Sequence, residues 1–180
     1  MKIFKITVIL FLITTTASIA QYDNNWAVGL KVGEPLGINI RKYFAYGEKA
    51  FDLNVGSYGF LFGSNRTYRG DQLYNQAGIT VQGLFQYHRS LGRNERIHYY
   101  YGYGAHLNNR KKFLKASTGL RDNKENLFSF GPAVNAGIEY KIPQNDLGVF
   151  LDAGGYLELA PSLFFVAPMA NIGLRLHLIK

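Results

Sequence analysis

The 180-residue sequence predicts an all-β fold, an eight-stranded antiparallel up-and-down transmembrane β-barrel, from three observations. Apolar and polar residues alternate in eight separate runs. The connections between these runs alternate between longer and shorter ones. The chain has 13 Tyr, 13 Phe and 20 Gly, yet beyond residue 20 it has no apolar run of about 18 residues that could form a spanning helix. Barrels that cross a membrane with strands have this composition and this pattern.

The first 20 residues have the pattern of a secretory signal peptide. A basic start precedes the apolar run Ile6–Ile13, and Ala17-Ser18-Ile19-Ala20 places small residues at the −3 and −1 positions. We therefore expect cleavage before Gln21, which leaves residues 21–180 as one barrel domain. The chain has no cysteine, so neither a disulfide framework nor a lipid-bearing cysteine is expected.

The eight predicted strands are defined by strict alternation. The pattern is clearest in residues 77–107, where two alternating runs flank the polar segment SLGRNE. Because successive side chains of a strand point to opposite faces, each run has one apolar and one polar face. The remaining runs are Trp26–Gly33, Leu36–Phe44, Ala50–Tyr58, Phe130–Ile142, Leu147–Leu157 and Val166–Leu178.

The lengths of the connections predict an orientation. Ala45–Lys49, Ser90–Glu95 and Pro143–Asp146 are short and polar, whereas Gly59–Gln76, Asn108–Ser129 and the segment Glu158–Phe165 are longer. Outer-membrane barrels have short periplasmic turns and longer outer loops. The SLGRNE turn is therefore predicted to be periplasmic, and the tight link Glu34-Pro35 is an exception on the outer side.

The residues on the polar face of each strand favour a lumen filled with polar side chains rather than an open channel. Eight strands leave room for little more than side chains. The charged residues predicted to pair across this lumen are Lys31, Arg41, Asp52, Glu139, Lys141, Asp152, Glu158 and Arg175. Aromatic residues near the strand ends are predicted to form interfacial girdles, namely Trp26, Tyr43, Phe44, Tyr87, Tyr99 and Tyr140. A soluble periplasmic binding barrel, with the apolar parity inside, is the structural alternative.

Three histidines, two of them in the hairpin of residues 77–107, raise two chemical alternatives. Folding the hairpin about Gly92–Asn94 would place His88 opposite His98, with His177 at the same end, and three histidines could bind a metal. No fixed ligand spacing supports a metal site, so a polar plug is favoured and no metal or cofactor is predicted. His88-Arg89-Ser90 is similar to the His-x-Ser of an outer-membrane lipid A deacylase family, which gives a lipid hydrolase as the alternative function. Because that tripeptide runs into the predicted periplasmic turn, no catalytic residue is assigned.

A cluster of cations follows the hairpin. Arg110, Lys111, Lys112, Lys115, Arg121 and Lys124 lie in the predicted outer loop, with Asp122 and Glu125 as the opposing charges. The ordinary interpretation is a solvated loop. The functional one is binding of lipopolysaccharide phosphates or another anionic surface partner. The formal net charge of +8 becomes +6 without Lys2 and Lys5, and export argues against nucleic acid as the partner.

Four segments resemble a known group. They are VGLKVGEPLGINIRKYF (28–44), LFQYHRSL (84–91), YYYGYGAHL (99–107) and FGPAVNAGIEYKI (130–142). The chain resembles the small bacterial outer-membrane β-barrel proteins of the OmpX/OmpA-like kind, and more closely a widespread, poorly characterised outer-membrane β-barrel family. The resemblance implies a non-enzymatic protein of the cell outer membrane, inserted by the outer-membrane assembly machinery, and we expect a monomer. Such barrels usually end on an aromatic residue, whereas this sequence ends His177-Leu178-Ile179-Lys180.

Overall fold

The computed structural model describes residues 25–59, 61, 67–68, 72–74, 78–92, 96–114, 124–161 and 163–178. At 67–68, 72–74, 110–114 and 124–127 it describes the backbone alone. The predicted signal peptide, residues 1–20, lies outside the described residues. Within the described ranges, no helix is long and apolar enough to cross a membrane.

Ten β-strands occur in the described part of the chain. Eight are long and two are short. They are β1 (Trp26–Glu34), β2 (Leu36–Phe44), β3 (Lys49–Tyr58), β4 (Thr67–Tyr68), β5 (Gln72–Tyr74), β6 (Gly78–Leu91), β7 (Ile97–Leu114), β8 (Lys124–Lys141), β9 (Leu147–Glu158) and β10 (Phe165–Leu178).

The eight long strands form a closed barrel. Each pairs antiparallel with its neighbours in the order β1-β2-β3-β6-β7-β8-β9-β10. The barrel closes where β10 pairs with β1, from Trp26 opposite Leu178 to Glu34 opposite Ala170. Closure gives every long strand a hydrogen-bonded neighbour on both sides within the barrel. The predicted eight-stranded antiparallel barrel is confirmed.

The barrel is polar inside and apolar outside. Lys31, Arg41 and Asp52 are buried, whereas Leu30 and Val32 are 63% and 61% exposed. This distribution is the reverse of that in a water-soluble protein, where buried charged residues are rare. The charged side chains therefore lie on the buried face of the strands, and the apolar side chains form the outer surface.

Inward-facing glycines make room for large inward-facing side chains on neighbouring strands. A Cβ built on Gly137 would lie 2.6 Å from Cζ of Tyr100, and one on Gly173 would lie 2.4 Å from Cζ of Phe150. Real Cβ atoms do not approach other heavy atoms this closely. The absence of a side chain at these glycines therefore lets the two buried rings lie flat across the neighbouring strand.

The two ends of the barrel differ. The connections 45–48, 92–96 and 142–146 lie at one end, which we name the turn end. The connections between β3 and β6, between β7 and β8, and between β9 and β10 lie at the other, which we name the loop end.

At the loop end two strands continue well beyond the barrel. The segment Asn108–Ser129 is predicted as a loop, but β7 runs to Leu114 and β8 begins at Lys124, with Phe113 opposite Lys124. β5 pairs with β7, and β4 pairs with β5. Over residues 108–114 and 124–129 the prediction of a loop is wrong, because continued pairing satisfies backbone N–H and C=O groups beyond the rim. Residues 115–123 lie outside the described residues. We name the sheet β4-β5-β7-β8 beyond the rim the projecting sheet.

We expect Gly173→Ala to destabilise the barrel. The added methyl would meet Phe150 and the carbonyl oxygen of Leu30, and overpacking of this kind costs roughly 1–3 kcal/mol. Urea unfolding of the refolded protein in lipid vesicles measures the change. Gly83→Ala is the control, because its Cβ would lie 3.3 Å from the flexible Phe51 ring. Equal stability of the two variants would contradict the packing role of Gly173.

Candidate functional site

The centre of the barrel interior is a carboxylate held between two arginines. Glu139 on β8 accepts hydrogen bonds from Arg175 on β10 and, at 3.4 Å, from Arg41 on β2. Its other oxygen lies 2.8 Å from Nε2 of His177. Glu139, Arg41 and Arg175 are each no more than 1% exposed. The contact joins strands from opposite sides of the barrel, so it crosses the lumen.

A second carboxylate, Asp52 on β3, binds the other side of Arg41. Nε and Nη2 of Arg41 lie 2.6 and 2.5 Å from Oδ2 of Asp52, a bidentate contact with a single carboxylate oxygen. The amides of Asn39 and Asn54 donate to Oδ1 of Asp52 at 2.6 and 2.7 Å. Asn54 also donates to Gln82 on β6 at 3.3 Å, which extends the contacts to a further strand.

A third carboxylate, Asp152 on β9, completes the set. Nζ of Lys31 lies 3.3 Å from Oδ2 of Asp152, and the Tyr100 hydroxyl donates to the same oxygen at 3.2 Å. Asn171 donates to Oδ1 at 2.8 Å. With Lys31 on β1 and Tyr100 on β7, the polar contacts reach all eight long strands. Three cations (Lys31, Arg41 and Arg175) balance three carboxylates (Asp52, Glu139 and Asp152). We name these six residues and their amide partners the ion lattice.

Two other residues of the predicted lumen set lie outside the ion lattice. Glu158 is buried at the loop end and accepts a hydrogen bond from the Ser129 hydroxyl at 2.8 Å. Lys141 is half-buried at the turn end of β8.

At the turn end, two predicted positions differ from the structure. Tyr43 is predicted to lie in an interfacial girdle, but it is fully buried in the lumen, because it shares the inward parity of Arg41. His88 is predicted opposite His98, but it lies opposite Tyr100, and His98 lies opposite Ser90. The turn is centred one residue later than predicted, so every pairing of the hairpin shifts.

At the loop end, Glu34 is a buried carboxylate that the sequence patterns do not indicate. It accepts hydrogen bonds from the backbone N–H groups of Gly59 (2.7 Å) and Leu61. Gly33 adopts φ +138°, a backbone region that favours glycine, and a Cβ there would lie 2.1 Å from the carbonyl oxygen of Ala170. This conformation breaks the alternation of β1 and turns Glu34 inward. A glycine directly before a polar residue at a strand end is the signal in the sequence.

His106 is the second loop-end residue that no predicted site includes. Its ring stacks on Tyr156 with centroids 4.2 Å apart, and Nε2 lies 3.0 Å from the Thr80 hydroxyl. Within the described residues, no group of three or more His, Cys, Asp or Glu side chains is placed to hold a metal ion.

The predicted cation cluster is described in part. Arg110, Lys111, Lys112 and Lys124 lie on the extensions of β7 and β8 rather than in a loop, and only their backbone is described. Lys115 and Arg121 lie outside the described residues.

Comparison with known proteins places the fold among the small outer-membrane β-barrels. The N-terminal β-barrel domain of Pseudomonas aeruginosa OprF is similar, with a TM-score of 0.62, 15% identity, and coverage of 87% of this chain and 98% of that domain. Ail, the attachment invasion locus protein of Yersinia pestis, is similar with a TM-score of 0.50, 11% identity, and coverage of 86% of this chain and 94% of Ail. No family model and no curated protein matches the sequence. At these identities the likeness concerns the fold.

We expect Glu139→Gln to destabilise the barrel strongly, because two buried arginines lose their shared carboxylate. Breaking a buried ion pair costs about 3–5 kcal/mol. The free energy of unfolding in lipid vesicles measures the loss. The control is Glu48→Gln, which removes an exposed pair with Arg89 at 2.8 Å, and exposed pairs are worth about 0–1 kcal/mol. A similar loss in both variants would show that the ion lattice does not stabilise the barrel.

Proposed function

We propose that the protein is a non-enzymatic integral barrel of the bacterial outer membrane, with a plugged polar interior and an outer surface that binds anionic envelope lipid or an anionic surface partner. The observation that carries the proposal is the inverted barrel, with the ion lattice inside and an apolar surface outside. That apolar surface would be unfavourable in water and is suited to lipid.

The turn end is proposed to face the periplasm. Short turns are periplasmic in barrels of this architecture. At this end the Nζ atom of Lys42 lies 5.1 Å from the ring centroid of Trp26 on the outer surface. Trp beside Lys is suited to the level of lipid headgroups, where an aromatic ring meets water and anionic groups. Tyr99 and Tyr140 are also exposed on the outside near the turn end.

The interior is proposed to act as a plug. Arg41 and Arg175 are no more than 1% exposed and reach carboxylates on other strands across the lumen. Moving a solute past them would require breaking buried ion pairs, which has a high free-energy cost in a site shielded from water. Strength of the barrel, rather than transport, is therefore the proposed role of the ion lattice.

Binding is proposed at the projecting sheet. Residues 108–129 carry six cations against two carboxylates. Phe130 exchanges backbone hydrogen bonds with Ala160. Because alternate residues of a strand direct N–H and C=O to the same side, Asn126 and Phe128 direct theirs to that side as well, where no described strand pairs with them. A cationic sheet with an edge that no described strand covers suits phosphate-bearing lipid, and it also suits an acidic extended peptide.

The hydrolase alternative receives less support. His88 is buried between aromatic rings, whereas Ser90 is exposed beyond it at the turn end. Neither ring nitrogen of His88 has a hydrogen-bond partner within the described residues, so the contact between Ser90 and His88 that this mechanism needs is not formed.

Membrane location is tested by fractionation together with gel migration before and after boiling. We expect the protein in the outer-membrane fraction, extracted only by detergent, with a shift in migration on boiling because the closed barrel resists detergent until heated. Recovery in the periplasmic fraction without detergent, with no shift, would support a soluble binding barrel instead.

Anion binding is tested with the protein in nanodiscs of zwitterionic lipid and with lipopolysaccharide as the probe. Replacing Arg110, Lys111 and Lys112 by Gln should weaken binding on the order of 100-fold, since each cation near an anionic surface contributes about 1 kcal/mol. The matched control replaces three turn-end cations, Lys49, Arg89 and Arg96, by Gln. If both triple variants bind equally well, the projecting sheet is not the binding surface. Binding of an acidic peptide but not lipopolysaccharide would identify a protein partner.

A further inference from the structure

We infer that the barrel interior binds a water molecule that bridges His88 and Gln86, between the ion lattice and the turn end. The inference concerns the interior alone, and it holds whether or not the projecting sheet binds anions.

His88 is a buried polar side chain that packs between two aromatic rings but forms no hydrogen bond through its ring nitrogen atoms within the described residues. It is 2% exposed. Tyr100 stacks on its ring with centroids 5.2 Å apart and planes 25° apart, and Tyr43 meets it at 5.4 Å and 69°. The stacked Tyr100 ring covers one face of the imidazole, whose nitrogen atoms lie in the ring plane. Within the described residues, neither Nδ1 nor Nε2 has a hydrogen-bond partner.

Gln86 presents the complementary atom. It is 1% exposed, and its Nε2 donates to Oδ1 of Asn135 at 3.3 Å, which fixes the orientation of the amide. Oε1 has no hydrogen-bond partner within the described residues. Gln86 and His88 lie two residues apart on β6 and both point into the lumen. Residues so spaced have Cα atoms roughly 6.6 Å apart along a strand, so the two side chains line the same short stretch of the lumen wall.

Water matches the chemistry of these atoms. Oε1 is an acceptor, and a neutral imidazole has one donor and one acceptor nitrogen. A water molecule can donate to Oε1 and also bond to one ring nitrogen. Buried polar groups in folded proteins are nearly always bonded, and ordered water supplies the partners that the chain does not.

A metal ion suits the same atoms less well. A structural metal site needs about four ligands, whereas this position offers one imidazole and one amide oxygen. The described residues contain no cluster of metal-ligating side chains that could complete the set.

The inference is tested by counting long-lived internal waters of the refolded full barrel in detergent micelles by deuterium and oxygen-17 magnetic relaxation dispersion. His88→Phe keeps an aromatic ring but removes both nitrogens, and Gln86→Met keeps the length but removes the acceptor. Each variant should lose one water, and the double variant should also lose one, because both residues hold the same molecule. Tyr101→Phe, which removes a hydroxyl from the outer surface, should lose none.

Two results would overturn the inference. One is an unchanged water count in both single variants, and the other is loss of two waters in the double variant, which would mean separate sites. Heat-shifted migration on gels verifies that each variant is folded. If a variant does not fold, the wild-type protein gives the answer by NMR: we expect a cross-peak between water and the His88 ring, and its absence would count against the site.

Discussion

The carboxylate of Glu139 between two arginines is the interaction on which the barrel interior depends. Its partners come from β2 and β10, and Asp52 binds the same arginines from β3. Each of these charges would be strongly destabilising if it were buried without a partner, but as a set they neutralise one another. The inward positions must therefore be chosen together. The small residues that surround them, such as Gly148 beside Glu139, follow from that requirement.

The outer surface follows from the same constraint. Because the charged side chains of each strand point into the lumen, strict alternation directs the apolar side chains outward. Leu30, Val32 and Ile138 are exposed for this reason. Polar interior and apolar exterior are thus one property of the sequence. The loop end departs from the pattern at Gly33, where a glycine conformation turns Glu34 into the lumen.

The sequence predicts the strands well and the details of their ends less well. Alternation locates all eight long strands because period-two patterning is set locally by burial. The pairing of His88 with Tyr100 is not predictable from the sequence, because register depends on turn geometry, which a short polar segment does not determine. Tyr43 differs from the prediction because an aromatic residue near a strand end indicates an interface, whereas its shared face with Arg41 directs it into the lumen. The extensions of β7 and β8 carry charged residues without clear alternation, so nothing in that segment separates a projecting strand from a loop.

Closure of the barrel has a consequence for how the chain reaches its final state. Arg175 lies on β10, the last strand, and its partners Asn39 and Glu139 lie on β2 and β8. β1 and β10 meet at the seam. Before the ends meet, an open sheet can still pair Arg41 with Asp52 on the adjacent strand. The contacts of Lys31 with Asp152 and of Arg175 with Asn39 span the seam, so they form only when the barrel closes. These contacts join residues far apart in sequence, which is the slow kind of contact. Part of the stabilisation of the interior is therefore expected late in assembly, when β1 meets β10.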